Sequence, residues 1–287
     1  MTPNIEQLLI RGCKNLVEID DSVGHLDKLK MLDVSNCKKL ETLPNGLTMK
    51  SLTDFSVACS ERIKKFPNIL HEMKGVKELH MSGNYTNELP LSFGNLIGLE
   101  HVSVETKSRE AHLPGSIYNL QRIMWLDLHG DVIFPKNVEI DRQPMCNCLG
   151  GSSKYVFSML VVLELSYFKS RSNIEFILNY CCPLTLERLL IDQSKVVTLP
   201  ESMSRHQRLD TLIISDCDEF QEILRLPHCI RDVQVTCCHS FDLESFFQVY
   251  LSLKDIKKLF VLPSQILHDL LRCNLLNLLI ACSCFQK

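Results

Sequence analysis

Much is scarce in this sequence, and each scarcity removes a class of function. Lysine and arginine number 31 against 34 acidic residues, a net charge of −3. With no excess of positive charge there is no field to hold a phosphate backbone, so nucleic acid is not an expected partner. The most apolar stretch, Cys273 to Phe285, has 13 residues. A spanning helix needs roughly 20, so no membrane span is expected. The first residues, MTPNIEQLLIRGC, carry no basic segment followed by an apolar one, and no secretory signal is read there. No G-x-x-x-x-G-K-[ST] phosphate loop occurs, so no nucleotide site is expected. The 10 histidines fall in no His-Glu-x-x-His pattern, and no Gly-x-Ser-x-Gly is found, which removes two common hydrolase signatures. Cysteine is plentiful at 14. Yet Cys146-x-Cys148, Cys181-Cys182, Cys237-Cys238 and Cys282-x-Cys284 lack the C-x₂₋₄-C spacing of structural zinc sites. Catalytic residues, metal ligands and cofactors are all expected to be none, and the chain is read as no enzyme.

What is present is a beat of 23–24 residues. Repeat units open at Ile5, Leu29, Leu52, Val76, Leu99 and Ile123, skip once, and resume at Leu160, Leu186, Leu209 and Ile230. Each unit carries L-x-x-L-x-L, as in Leu29-x-x-Leu32-x-Val34 and Leu209-x-x-Leu212-x-Ile214. A fixed period of this length is the signature of a leucine-rich-repeat solenoid. The fold class follows: an α/β horseshoe with one short parallel strand per repeat and an irregular or short-helical convex side. The L-x-L core turns inward and the alternate residues outward.

Eight positions into a unit stands a small polar side chain, Cys13, Cys37, Asn84, Cys217 or Cys238. At that slot the chain leaves the strand, and a reduced cysteine or an asparagine can satisfy buried backbone groups. Cysteines used this way imply packing in place of a disulfide framework, hence a reducing, intracellular compartment. Leu-Pro closes many units (Leu43-Pro44, Leu89-Pro90, Leu113-Pro114, Leu199-Pro200), where a residue without an N–H suits a turn. The organisation expected is a solenoid of about ten units over 1–245, with a loop insertion near 136–159 containing Gly150-Gly151-Ser152-Ser153. A C-terminal segment, 246–287, would be either a helical cap or an atypical tail.

Outward strand positions form rows across neighbouring units. The candidate protein-binding concave face comprises Glu78, His80, His101, Glu105, Trp125, Asp127 and His129. Trp125, the one tryptophan, stands among carboxylates and imidazoles. It is either an interaction anchor or a ring lying over its neighbours' apolar stems. Leu190 and Ile213 occupy outward slots one unit apart and could make a small apolar patch.

Two stretches carry a family resemblance. Residues 186–242 hold Leu199-Pro200-Glu201-Ser202, Leu209-x-x-Leu212-x-Ile214-x-x-Cys217, Leu226-Pro227 and Ile230-Arg231-Asp232-Val233. This resembles the terminal repeats of plant intracellular nucleotide-binding, leucine-rich-repeat (NLR) disease resistance receptors of the Toll/interleukin-receptor (TIR) type. The run GCKNLVEIDDSVGHLDKLKMLDVSNCKKLETLP is similar to the same receptors' cysteine-type repeats. The resemblance implies a cytoplasmic or nucleocytoplasmic, non-enzymatic recognition module that binds a protein ligand, a pathogen effector or a guarded host protein. The missing phosphate loop implies a receptor truncated to its repeats, to which neither the nucleotide switch nor the NAD-cleaving activity carries over. The rival reading is a generic intracellular scaffold of the Ras-group type. Such arrays favour asparagine in the turn slot, where this chain favours cysteine.

Overall fold

The computed structural model describes residues 4–82, 89–106, 110–135 and 157–242, together with 246, 249, 251, 253 and 255–262. The expected insertion lies almost wholly outside the described residues, as do Asn84, Cys146, Cys148 and the apolar stretch 273–285. Contacts divide the chain into two compact units, Met1–Leu160 and Val161–Lys287.

The first unit contains β1 (Gln7–Leu9), β2 (Met31–Asp33), β3 (Gly46–Leu47), β4 (Asp54–Val57), β5 (Asn68–Ile69), β6 (Glu78–Ser82), β7 (His101–Glu105), β8 (Ala111–His112), β9 (Trp125–His129) and β10 (Val132–Ile133). One strand per repeat builds a parallel ladder in the order β1-β2-β4-β6-β7-β9. Its register steps by one repeat at a time: Leu8 pairs Leu32, Phe55 pairs Leu79, Val102 pairs Leu126. The alternation of the sequence is the alternation of burial. Leu32, Phe55, Leu79, Val102 and Leu126 are 0–2% exposed, and the residues between them open to the other face. On the return side, β3 pairs β5 and β8 pairs β10 in two-stranded parallel ladders. Phe55, Phe66 and Phe93 pack through the interior, tilted and edge-to-face, at centroid distances of 5.9 and 5.5 Å.

The second unit carries β11 (Val162–Ser166), β12 (Arg188–Asp192), β13 (Thr211–Ser215), β14 (Asp232–Thr236) and β15 (Lys258–Leu262), parallel and in sequential order. The ladder therefore runs on past residue 245, where the repeats were expected to give way to a cap or tail. The rule persists in Ile256-x-x-Leu259-x-Val261, but it opens 26 residues after Ile230 (256 − 230) and is flanked by Lys254, Asp255, Lys257 and Lys258, which blur the beat. Residues 263–287 lie outside the described residues. Where the Leu-Pro return fails, helix α1 (Arg171–Phe176) runs directly into a π-turn, Ile177–Cys181. Its apolar face buries Ile174, Ile177 and Leu178.

Four other return segments are single 3₁₀ turns: Asp21–His25, Leu91–Asn95, Gly115–Asn119 and Glu201–Arg205. Pro90, Pro114 and Pro200 occupy the position before the last three in extended conformation. There a proline gives up an N–H that the turn does not use.

The turn slot works by reaching back one repeat. The Cys37 thiol donates to the Ile10 carbonyl at 2.9 Å, and Cys217 and Cys238 reach the carbonyls of Ile191 and Ile214. Ser60 and Ser194 fill the same slot with a hydroxyl, donating to Val34 and Leu165 while accepting from the amides of Cys37 and Phe168. Cys13, in the first repeat, is exposed. The residue just before the slot takes a positive φ in eight of these turns: Gly12, Asn36, Cys59, Gly130, Tyr167, Gln193, Asp216 and Cys237. Gly, Asn and Asp suit that left-handed geometry. The larger side chains hold it because the ladders on either side fix the turn.

Candidate functional site

Strands β6, β7 and β9 are adjacent, and all seven expected surface residues leave their outward face. Register aligns Glu78 with His101 and His101 with Trp125, His80 with Ser103 and Ser103 with Asp127, and Glu105 with His129. Three rows result, each built from positions one repeat apart in sequence. The intervening Leu79, Val102, Leu126, Met81, Val104 and Leu128 are buried, so the strands are anchored from behind and the outward side chains are presented on a fixed frame.

An aromatic–imidazole stack crosses the rows. The His101 ring lies over Trp125 with centroids 4.9 Å apart and planes at 22°. His80 meets His101 edge-on at 5.1 Å and 77°. Burial holds the His101 pKa below the usual imidazole value, and the neighbouring His80 adds to this; Glu78 and Asp127 oppose it. Burial thus favours the neutral form of the ring that stacks on the indole. Trp125 remains 37% exposed, and Met124 beside it 42%. The tryptophan therefore stacks on a neighbour and keeps accessible surface at once.

Polar groups frame the stack. Ser103 donates to Asp127 at 2.8 Å, and the His80 and Glu78 side chains stand 3.9 Å apart. Along the near edge Glu100 is paired with Lys77, and with Arg122 at 3.2 Å. The Lys77 hydrogen bond is the chief reason its carboxyl lies below the usual range. Sequence reading passed over Lys77, Glu100, Arg122 and Met124. Their signal was spacing alone: Lys77 and Glu100 are 23 positions apart and Glu100 and Met124 are 24, one repeat each.

Among the described residues, one grouping brings metal-type donors together. The ligand atoms of Glu78, His80 and His101 all lie within 4.8 Å of one another. No sequence motif announces it, because two donors sit two apart on a strand and the third comes from the next repeat. In the second unit, Leu190 and Ile213 pair in register and are half-buried, with Gln234 and Phe260 continuing their row.

Parallel strands at this period, 3₁₀ returns and a backward-reaching turn slot define the class: this is a leucine-rich-repeat solenoid. Residues 48–263 match the family described as disease resistance protein RPS4B-like, leucine-rich repeats. The chain belongs to that family, the leucine-rich-repeat region of TIR-type NLR disease resistance proteins. Its relatives include the TMV resistance protein N of Nicotiana glutinosa, 23% identical over 271 residues, which cover 82% of this chain and 24% of that protein. The protein SUPPRESSOR OF npr1-1, CONSTITUTIVE 1 of Arabidopsis thaliana is 26% identical over 157 residues, 50% of this chain and 11% of that one. Disease resistance protein RPS6 of Arabidopsis thaliana is 29% identical over 96 residues, 33% and 8% respectively. The chain thus spans a quarter or less of the length of these relatives. No helix among the described residues is long and apolar enough to cross a membrane.

Proposed function

We propose that this chain is a non-enzymatic, intracellular recognition module of plant defence, binding a protein ligand through the outward face of β6, β7 and β9. The ligand class is a pathogen effector or a host protein that effectors target. The observation that carries the reading is the stack of His80, His101 and Trp125, framed by Glu78, Glu105 and Asp127, on strands whose other face is buried core. An exposed tryptophan held rigid by a neighbouring ring costs little side-chain entropy on binding, and aromatic anchors within a polar frame are where interface energy concentrates. Family membership supplies the setting; the surface supplies the contact.

The test is a single truncation. Trp125→Ala removes the anchor and leaves Leu126 and Leu128 in the core, so thermal unfolding should stay close to wild type. Protein partners captured by the chain in plant cells should be lost, with affinity reduced by about 2 kcal/mol, roughly thirtyfold. A variant that folds and captures the same partners as strongly as wild type overturns the proposal.

A further inference from the structure

We propose that Glu78, His80 and His101 form a surface site for a borderline divalent transition metal such as Zn²⁺ or Ni²⁺, with at least one coordination position left open. Glu78 and His80 are two apart on β6 and leave the same face. His101 faces Glu78 in register from β7. The two imidazole nitrogens and one carboxylate oxygen lie within 4.8 Å of one another. In a tetrahedral site with bonds near 2.0–2.1 Å, donors stand roughly 3.4 Å apart. The donors must close by at most about 1.4 Å (4.8 − 3.4), within rotamer adjustment for side chains as open as His80 and Glu78, 40% and 61% exposed.

The donor set selects the ion. Two imidazoles and a carboxylate suit zinc, nickel and copper, whereas calcium and magnesium demand oxygen ligands throughout. Three protein ligands from a rigid sheet, with the fourth position open, match sites where water or an incoming group completes the shell. Trp125 stacked on His101 holds that ring's orientation, as groups around metal ligands do elsewhere. Competing charge is already occupied, since the nearby Lys77 is bound by Glu100. The site needs only the ion, so it stands or falls separately from the recognition proposal above.

Trp125 is the sole tryptophan, and it touches a ligand, so its emission reports directly. The full reduced chain is titrated with NiCl₂ alone while Trp125 fluorescence and bound nickel are measured. One ion should bind saturably and quench the emission. His80→Gln leaves the His101–Trp125 stack in place and should weaken binding by roughly tenfold or more. Lys50→Gln, in an exposed turn, should change nothing. Absent saturable quenching, or an unchanged titration in His80→Gln, overturns the site. X-ray absorption on the nickel-loaded wild type covers a His80→Gln chain that does not fold. Imidazole and oxygen scatterers support the assignment, and sulfur scatterers, which would place the ion on cysteines, overturn it.

Discussion

One side chain, eight positions into a repeat, ties five of the turns to the repeat before it. Cys37, Ser60, Ser194, Cys217 and Cys238 all do this by donating to a strand carbonyl one repeat back. A buried acceptor left alone costs about 1–3 kcal/mol, so the slot demands a small donor and is indifferent to whether it is thiol or hydroxyl. That indifference is why the serines escaped a rule framed on Cys and Asn. Burial raises the pKa of the Cys37 thiol as well, so it is held protonated. Burial alone pushes the Cys182 thiol up to about 12, which leaves about one thiolate in ten thousand at pH 8. Cys217, hydrogen-bonded to Cys238 and buried, is likewise pushed up. Native-state alkylation read by peptide mass spectrometry should mark the exposed Cys13 and Cys59 and spare Cys37, Cys182 and Cys217 until denaturant is added. Equal labelling of Cys182 and Cys13 in the native chain would contradict this.

His206 supplies the pH dependence at the same scale. It is 2% exposed, with its two ring nitrogens 3.2 Å from the Met203 carbonyl and 3.4 Å from the Cys182 carbonyl. Burial holds its pKa below the usual imidazole value despite these acceptors. The unfolded chain then takes up a proton near pH 6.5 that the folded chain refuses until lower pH. Stability is full above that value and falls as the pH drops from about 6.5 toward 5. The urea midpoint should decline across that window in wild type and decline less in His206→Gln. A wild-type midpoint that rises on acidification would reverse the sign.

At the scale of elements, the 3₁₀ returns are packed turn on turn, and glycine marks where they touch. A Cβ on Gly94 would lie 2.5 Å from the Ser116 Cβ and 2.7 Å from its carbonyl oxygen; one on Gly115 would meet nothing within 4 Å. Both glycines sit in equivalent five-residue turns. Gly94→Ala should therefore cost about 1–3 kcal/mol by overpacking, and Gly115→Ala about 0.5 kcal/mol at most. Thermal melts of the two variants check this, and equal shifts would refute the turn-on-turn packing.

These elements also show what sequence makes legible. The strands were plain because L-x-x-L-x-L states the burial pattern directly, and Leu-Pro located the turns. The helix-and-π-turn passage at 171–181 was legible as a longer, helical stretch of apolar content in place of the Leu-Pro return. Strand β15 was hidden by a longer spacing and a run of charges. The positive φ of Tyr167 and Gln193 had no local signal at all, since the ladder imposes it against their own preference. Of the surface, all seven positions followed from counting repeats. The His101–Trp125 stack and the convergence of Glu78, His80 and His101 required side-chain directions that spacing does not carry.

Across the molecule as a whole, one period does two jobs. It buries every second strand residue in a core that each repeat extends, and it sets the alternate residues in rows that no single repeat could build. Core and surface are therefore separable: inward residues hold the fold, and outward ones carry the proposed recognition. Site-specific photocrosslinking tests this most directly, with a photoreactive phenylalanine analogue placed at position 125 or, as a control, at Lys50, and the full chain expressed in plant cells. The expected result is a discrete protein adduct from position 125, lost when His101→Ala removes the ring beneath it, and none from position 50. The same adducts from both positions, or none from 125 in a folded chain, would contradict a recognition surface on β6, β7 and β9.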